Sequence, residues 1–339
     1  MSRRPPAGRA RTLPDHLRAA RDVGPPLVPD LIAVLEALAE AGARLAREIG
    51  RAALTDTLGE TGAVNAHGDR VRRLDVLAND LLLAALQPSG AVSVVASEEL
   101  SAPVVWPRAG RAPGFAVCLD PLDGSLNSDV AGVMGTIFGI WPGPAPGEAD
   151  PARAVLAAGT RQVAAGYLVY GAGTVFVYAA GSGAHVFVHD PTDGHFRLTQ
   201  AGARTPPAGR TYAVNDANWP HWGPAPRALV EELRRAAAGE GRYALRYSGA
   251  LAADFHRTLL EGGLYLYPED RLRPGGRIRL LYEAAPLAFV AEAAGGRAST
   301  GRGRLLDVVA TDYHQRTPLY IGSPEEVRRA ERCYREHPG

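Results

Sequence analysis

The stretch FAVCLDPLDGSLN, residues 115–127, decides the reading of this 339-residue chain. Residues 115–119 form a short apolar run bounded by turn residues, the pattern of a buried strand. An Asp-Pro-Leu-Asp-Gly turn follows directly, which puts it at the exposed carboxyl end of that strand, where α/β proteins place ligands. Asp120 and Asp123, three apart across a tight turn set by Pro121, can converge on one cation, and the Leu122 carbonyl can add a third oxygen. Gly124 lets backbone approach a ligand closely, so the amides of Gly124 and Ser125 can donate to a phosphate oxygen. Hard oxygen donors select Mg²⁺, with Mn²⁺ as the alternative. Taken alone, the motif reads equally well as a surface Asp-Pro turn.

The motif has company. The preceding apolar run, 92–95, also ends in acids, Glu98 and Glu99 after Ser97. Two neighbouring strands that both terminate in carboxylates gather negative charge at a cost that only a cation offsets.

Outward from this point the apolar period alternates between helix and strand. Asp30 is expected to cap a helix carrying Leu31, Val34, Leu35, Leu38 and Leu45. A second helix runs through Leu74, Leu77, Leu81 and Leu82. Further strands are expected at 135–141, 163–170, 174–179, 185–189 and 196–198, the last two joined by the Asp-Pro-Thr-Asp-Gly turn. A Gly-, Pro- and Arg-rich loop at 201–210 separates a second half. That half has helices at 227–238, 251–261, 286–294 and 325–335, with strands at 265–267 and 278–282. The expected fold is α/β with stacked layers. It comprises an N-terminal arm at 1–26, an α/β half at 27–202 with most of the metal ligands, and an α/β sugar-phosphate-binding half at 203–339.

Composition bounds the partners. Every one of the 37 basic residues is arginine, the formal net charge is +1, and the charges are spread along the chain, which points to neither nucleic acid nor an anionic membrane. No apolar run approaches the roughly 20 residues that span a bilayer. Cys118 and Cys333 are far apart and read as core residues in a reducing compartment, with cytoplasm as the default location. The Arg- and Pro-rich arm reads as a flexible, solvated segment.

Together, DPLDGSLN and SEE resemble the metal-binding signature of the inositol monophosphatase and fructose-bisphosphatase superfamily. The class I fructose-1,6-bisphosphatase branch is indicated by GDRVRRLDVLAND from Gly68, GTIFGI from Gly135 and VAAGYLVYG from Val163. ADFHRTLLEGGLYLYP from Ala253, RIRLLYEAAPLAF from Arg277 and LDVVATDYHQRTPLYIGSPEEV from Leu306 extend the likeness in order over residues 27–335. The resemblance implies the layered α/β/α/β/α sugar-phosphatase fold of two fused halves, and hydrolysis of fructose 1,6-bisphosphate to fructose 6-phosphate in gluconeogenesis or a carbon-fixation cycle. It implies two or three Mg²⁺ ions held by Glu98, Asp120, Leu122 (through its carbonyl), Asp123 and Glu283, with Asp69 and Glu98 at a transient third. Asp69, Asp75 and Glu99 are the implied catalytic acids, the last two orienting and deprotonating the attacking water. Asp123, Gly124 and Ser125 would hold the phosphate being cleaved. Asn215, Tyr247, Tyr267, Arg277 and Arg279 would hold the sugar and the distal phosphate. Arg246 resembles an arginine that reaches a neighbouring subunit's site, which implies a homo-oligomer, with a tetramer expected.

The chain departs from the family at Leu126 (usually serine), Arg277 (usually lysine), Asn218, Ala250 and Leu251. These departures keep sedoheptulose 1,7-bisphosphate open as substrate, alone or as a second one. The positions aligned with the family's AMP contacts are Gly114, Phe115, the 25–26 region and Pro142. None is cationic, so insensitivity to AMP is expected. A non-catalytic sugar-phosphate-binding protein is the alternative of another class. The complete set of seven acids counts against it, because a binder has no use for a water-activating pair.

Overall fold

The computed structural model describes residues 10–20, 27–64, 70–107, 114–240 and 243–338. Its seven α-helices are α1 (Leu13–Ala20), α2 (Pro29–Arg51), α3 (Arg73–Leu86), α4 (Pro224–Glu240), α5 (Leu251–Glu261), α6 (Ala285–Ala293) and α7 (Pro324–Glu336). An eight-stranded sheet runs, from one edge to the other, through His195–Ala203, Gly183–Asp190, Thr174–Ala180, Ala164–Tyr170, Met134–Pro142, Phe115–Asp123, Val92–Ser97 and Val104–Val105. A five-stranded sheet, in order Ala244–Leu245, Thr211–Ala213, Leu264–Tyr267, Leu319–Gly322 and Arg297–Ser299, belongs to the second half.

Burial sorts these elements into five layers. Leu17, Leu35, Leu38, Leu74 and Leu82 from α1–α3 meet Val95, Val117, Phe138 and Leu168 on one face of the large sheet. On its other face Cys118, Ile137 and Tyr167 pack with Phe255 of α5 and Leu287 and Val290 of α6, which also contact Tyr265, Leu319 and Ile321 of the small sheet. The outer face of the small sheet carries Leu229, Leu233, Val327 and Ala330 from α4 and α7. The order is α/β/α/β/α, as the family resemblance implies. The central helices α5 and α6 are buried on both sides, which is why α6 is apolar almost all round.

Three local expectations are corrected. Helix α2 begins at Pro29 with Val28 as its N-cap, so Asp30 lies in the first turn and does not cap it. Proline is pre-set for the first helical position, which moves the start forward, and Asp30 still complements the helix dipole. The strand expected over 278–282 is confined to Ile278–Arg279, and Leu280–Ala284 is one turn of π-helix leading into α6. Leu280, Leu281 and Tyr282 are all buried, so no period distinguished strand from helix there. The solvated arm expected at 1–26 contains α1. Leu13 and Leu17 are buried against the large sheet, His16 stacks 4.5 Å from His185, and the Leu198 amide donates to the Arg11 carbonyl at 2.9 Å. The apolar residues of α1 are too few for a sequence pattern and gain their burial only from the sheet edge. Leu17→Ala is therefore expected to destabilise the fold by roughly 2–5 kcal/mol, the range for a cavity in a packed core. Urea denaturation measures this, and a midpoint equal to that of the unmodified chain would mean that α1 is undocked in solution.

Candidate active site

The neighbouring strands Val92–Ser97 and Phe115–Asp123 run parallel, with Ser97 opposite Leu119, and the Glu98 amide donates to the Leu119 carbonyl at 3.0 Å. Parallel pairing runs both strands toward the same side, so Glu98, just past the end of its strand, lies beside the Leu119–Asp120 segment of the other. The second strand does not end at residue 119 as expected. It continues through a bulge, and pairing resumes where Asp123 faces Gly135. Bulges re-aim side chains at sheet ends. Here the Leu122 amide donates to Asp120 Oδ1 at 3.1 Å, and the chain turns only at Gly124, at φ 75°.

Two other elements close the site. The first amides of α5 donate to Asp123, Leu251 N to Oδ1 at 3.0 Å and Ala252 N to Oδ2 at 2.7 Å, an anion seated on a helix N-terminus. The π turn before α6 delivers Glu283, whose Oε2 accepts from the Arg279 amide at 2.6 Å. Asp120, Asp123 and Glu283 thus present oxygens that all lie within 4.8 Å of one another.

The electrostatics follow from burial. Desolvation pushes the Asp120 carboxyl well above the carboxylate range, reinforced by Glu98, Asp123, Glu283 and Glu99. Burial raises Asp123 to about 7 against the two α5 amides that hold it down, and raises Glu283 well above its ordinary value with Glu98 adding to the effect. Two buried carboxylates and one half-buried one, with no sulfur or imidazole among them, fit a hard divalent cation, which would remove this mutual repulsion. A carboxyl whose folded pKa is raised holds its proton more tightly folded than unfolded. The metal-free protein therefore loses stability as pH rises from the ordinary carboxylate value to about 7 for Asp123. A cation competes with those protons, so the rise in thermal midpoint caused by Mg²⁺ is expected to grow between about pH 5 and about pH 8. A shift independent of pH would argue against cation binding at this cluster.

The sequence as a whole matches two family models: Fructose-1-6-bisphosphatase, N-terminal domain, over residues 20–201, and Fructose-1-6-bisphosphatase, C-terminal domain, over residues 205–335. The chain belongs to the fructose-1,6-bisphosphatase family. It is 44% identical to the class 1 fructose-1,6-bisphosphatase of Thermosynechococcus vestitus over 310 residues, 91% of this chain and 88% of that one. It is 40% identical to the class 1 fructose-1,6-bisphosphatase of Chlorobium chlorochromatii over 325 residues, 94% of this chain and 96% of that one. The holo-form crystal structure of Leishmania major fructose-1,6-bisphosphatase superposes with a TM-score of 0.89 at 34% identity, covering 96% of this chain and 99% of that one. The chain is accordingly a sugar-phosphate phosphatase of carbohydrate metabolism.

Within this fructose-1,6-bisphosphatase fold the remaining expected residues fall into three groups. Asp75, Glu99, Gly124 and Ser125 lie at the carboxylate cluster. The Asp75 carboxyl is raised by burial to about 6, against a hydrogen bond to Ser125 and another from the Arg72 amide. Glu99 is half-buried, its amide donating to Ser97 Oγ at 3.3 Å. The Leu122 side chain is in the core. Arg279, expected in the distal pocket, also lies at the cluster: its Nε donates to Glu98 Oε1 at 3.1 Å and its Nη1 to the His314 carbonyl at 3.1 Å. A guanidinium thus neutralises Glu98, and Glu98 stands apart from the three converging carboxylates.

A second group stands together around Tyr267. Tyr247 hydrogen-bonds Tyr267, and Asn218 Nδ2 reaches the Tyr267 hydroxyl at 3.4 Å. Asn215 caps the following turn, accepting from the Ala217 amide at 3.3 Å. Arg246 is exposed. Arg277 turns away from this group, its Nε and Nη2 donating to buried Asp270 at 3.1 and 3.0 Å. The third group is Asp69, which lies outside the described residues. What residue-type reasoning missed is the pair of α5 amides on Asp123. Backbone donors leave no mark in composition, and the one available signal was the turn at Gly249 preceding an apolar helix.

Proposed function

We propose that this chain hydrolyses fructose 1,6-bisphosphate to fructose 6-phosphate and phosphate with Mg²⁺ as the activating ion. The observation that carries this reading is the convergence of Asp120, Asp123 and Glu283 beside Gly124 and Ser125. Bound Mg²⁺ would neutralise phosphate charge and lower the pKa of bound water. Asp120, Asp123 and Glu283 would hold it, with Glu98 and the Leu122 carbonyl completing a second position once Arg279 yields Glu98. The amides of Gly124 and Ser125 orient the phosphate to be cleaved. Asp75, with a carboxyl raised to about 6, takes the proton of the attacking water at its carboxylate oxygen, assisted by Glu99. Water oxygen bonds to phosphorus as the bond to the sugar oxygen breaks, and that oxygen leaves with a proton. Tyr247, Tyr267 and Asn215 bind the far end of the substrate.

Longer sugar bisphosphates form the second reading. The fork of Arg277 is engaged by Asp270, and Ala250 and Leu251 are apolar, so the sugar subsite has fewer polar contacts. Regulation by AMP is absent in this reading, because Gly114, Phe115 and Pro142 offer no cation to a nucleotide phosphate. Exposed Arg246 is proposed to complete a neighbour's site in a homotetramer.

The test is phosphate release from fructose 1,6-bisphosphate and sedoheptulose 1,7-bisphosphate, with Mg²⁺ and then with EDTA. Release that EDTA abolishes is expected, with fructose 1,6-bisphosphate preferred and no inhibition by micromolar AMP. Absence of release from fructose 1,6-bisphosphate would sink the first reading, and a dominant rate on the longer sugar would install the second.

A further inference from the structure

The Ser248 backbone is held from two directions by side chains that the catalytic reading leaves without a role. Its amide donates to both carboxylate oxygens of Asp254, at 3.1 and 2.9 Å, from within α5. Its carbonyl accepts from Asn127 Nδ2 at 3.1 Å, and the same Nδ2 donates to the Val133 carbonyl at 2.8 Å. Asn127 belongs to the phosphate loop, its amide donating to the Gly124 carbonyl at 2.9 Å. Asp254 is 3% exposed, so its carboxylate is committed to this loop and not to water. Ser248 itself closes the turn through Oγ, which bonds the Ala250 amide at 3.2 Å and the Ala250 carbonyl at 3.3 Å.

Ser248 sits between Tyr247, which faces the far end of the cleft at 38% exposure, and Gly249, whose φ of 82° bends the chain toward Gly124. The two successive peptide groups of residue 248 therefore connect the loop proposed to bind the phosphate being cleaved with the tyrosine proposed to bind the opposite end. We infer that Asn127 and Asp254 are positioning residues that set the distance between the two phosphate subsites, clamping Ser248 so that Tyr247 recognises only a sugar carrying a second phosphate at matching reach. The inference rests on the bisphosphatase reading above. Its physical basis is that a loop tethered at both its donor and its acceptor has one position, whereas release of either end restores rotational freedom before each binding event.

The experiment uses the full chain with Mg²⁺, comparing fructose 1,6-bisphosphate with p-nitrophenyl phosphate, a monoester that lacks a distal phosphate. Asn127→Ala and Asp254→Asn are each expected to raise KM for the bisphosphate about tenfold, equivalent to about 1.4 kcal/mol. For Asp254→Asn, which lies outside the phosphate loop, kcat and the rate on the monoester should both stay within about twofold. Because both side chains hold one residue, the double variant should cost about as much as the more affected single one, a non-additivity that two unrelated defects would not produce. If Asn127→Ala unfolds the chain, the milder Asn127→Ser and Asp254→Asn carry the comparison. The inference is overturned by an unchanged KM, by parallel loss on both substrates in Asp254→Asn, or by effects that multiply in the double variant. An unmodified chain inert on the bisphosphate would overturn the functional reading, and the clamp with it.

Discussion

Asp120→Asn is expected to lower phosphate release from fructose 1,6-bisphosphate by about 10³-fold or more while leaving the fold intact. Asp120 is the buried acid with the most acidic neighbours: Glu98, Asp123, Glu283 and Glu99 all raise its pKa after burial itself. The asparagine keeps shape and the acceptor for the Leu122 amide but removes the anion that a cation needs, and catalysis of phosphoryl transfer rests mainly on such charge neutralisation. Stability should respond with the opposite sign. Below the ordinary carboxylate range Asp120 is protonated in the folded and unfolded chain alike and resembles asparagine, so the two metal-free proteins should melt alike. As pH rises from that range to the raised folded pKa, the unmodified chain loses stability that the variant keeps, and the variant becomes the more stable of the two. Mg²⁺ should then stabilise the unmodified chain more than the variant. Phosphate release and thermal melts in EDTA and in Mg²⁺ measure both arms. Activity within about tenfold of the unmodified chain would remove this carboxylate from the mechanism.

Gly124→Ala is the second large effect, and it acts through backbone. At φ 75° a non-glycine residue is strained by roughly 1–2 kcal/mol. A Cβ there would also sit 2.6 Å from Ala250 Cβ and 3.0 Å from Ala250 Cα, where no flexible side chain can give way. The loop 249–250 must move out, and with it the start of α5, whose Leu251 and Ala252 amides hold Asp123. A sub-ångström shift at the Asp123 carboxylate, a ligand in the proposed mechanism, is expected to cost about 10²-fold in kcat/KM, together with a lower melting temperature. A variant as active as the unmodified chain would show that the phosphate loop and α5 are not in register during turnover. Ala250→Gly in the Gly124→Ala background removes the clashing methyl but not the φ strain, so partial recovery separates the two causes.

Much of the fold was legible because its elements carry strong local patterns. The stripe of Leu31, Val34, Leu35, Leu38 and Leu45 has one helical solution, and all five are buried in α2. The short apolar runs at 92–95 and 115–119 read as buried strands and lie within the strands Val92–Ser97 and Phe115–Asp123. Asp120 and Asp123 were legible as a pair from their spacing, whereas Glu283 came only from the family resemblance.

The failures have a shared cause. Helix α1 has two buried leucines and no pattern, and it exists as a docked element because the sheet edge covers Leu13 and Leu17. The run at 280–282 is apolar on every side, so only its pairing with Gln315 and its junction with α6 make residues 280–284 a π turn that aims Glu283. Arg279 has the same residue type whether it meets a substrate phosphate or Glu98, a neighbour 181 positions away in sequence.

Residue type and spacing therefore determined on their own where the acidic chemistry lies: hard carboxylates on neighbouring strand ends, with a glycine at the turn that follows them. Tertiary structure alone decided which of those carboxylates meet, that Asp123 is seated on the α5 amides, and that Ser248 is held by both Asn127 and Asp254. The physical reason is that side-chain chemistry is written residue by residue. Backbone donors and pairings across more than a hundred residues acquire their partners only when the layers close.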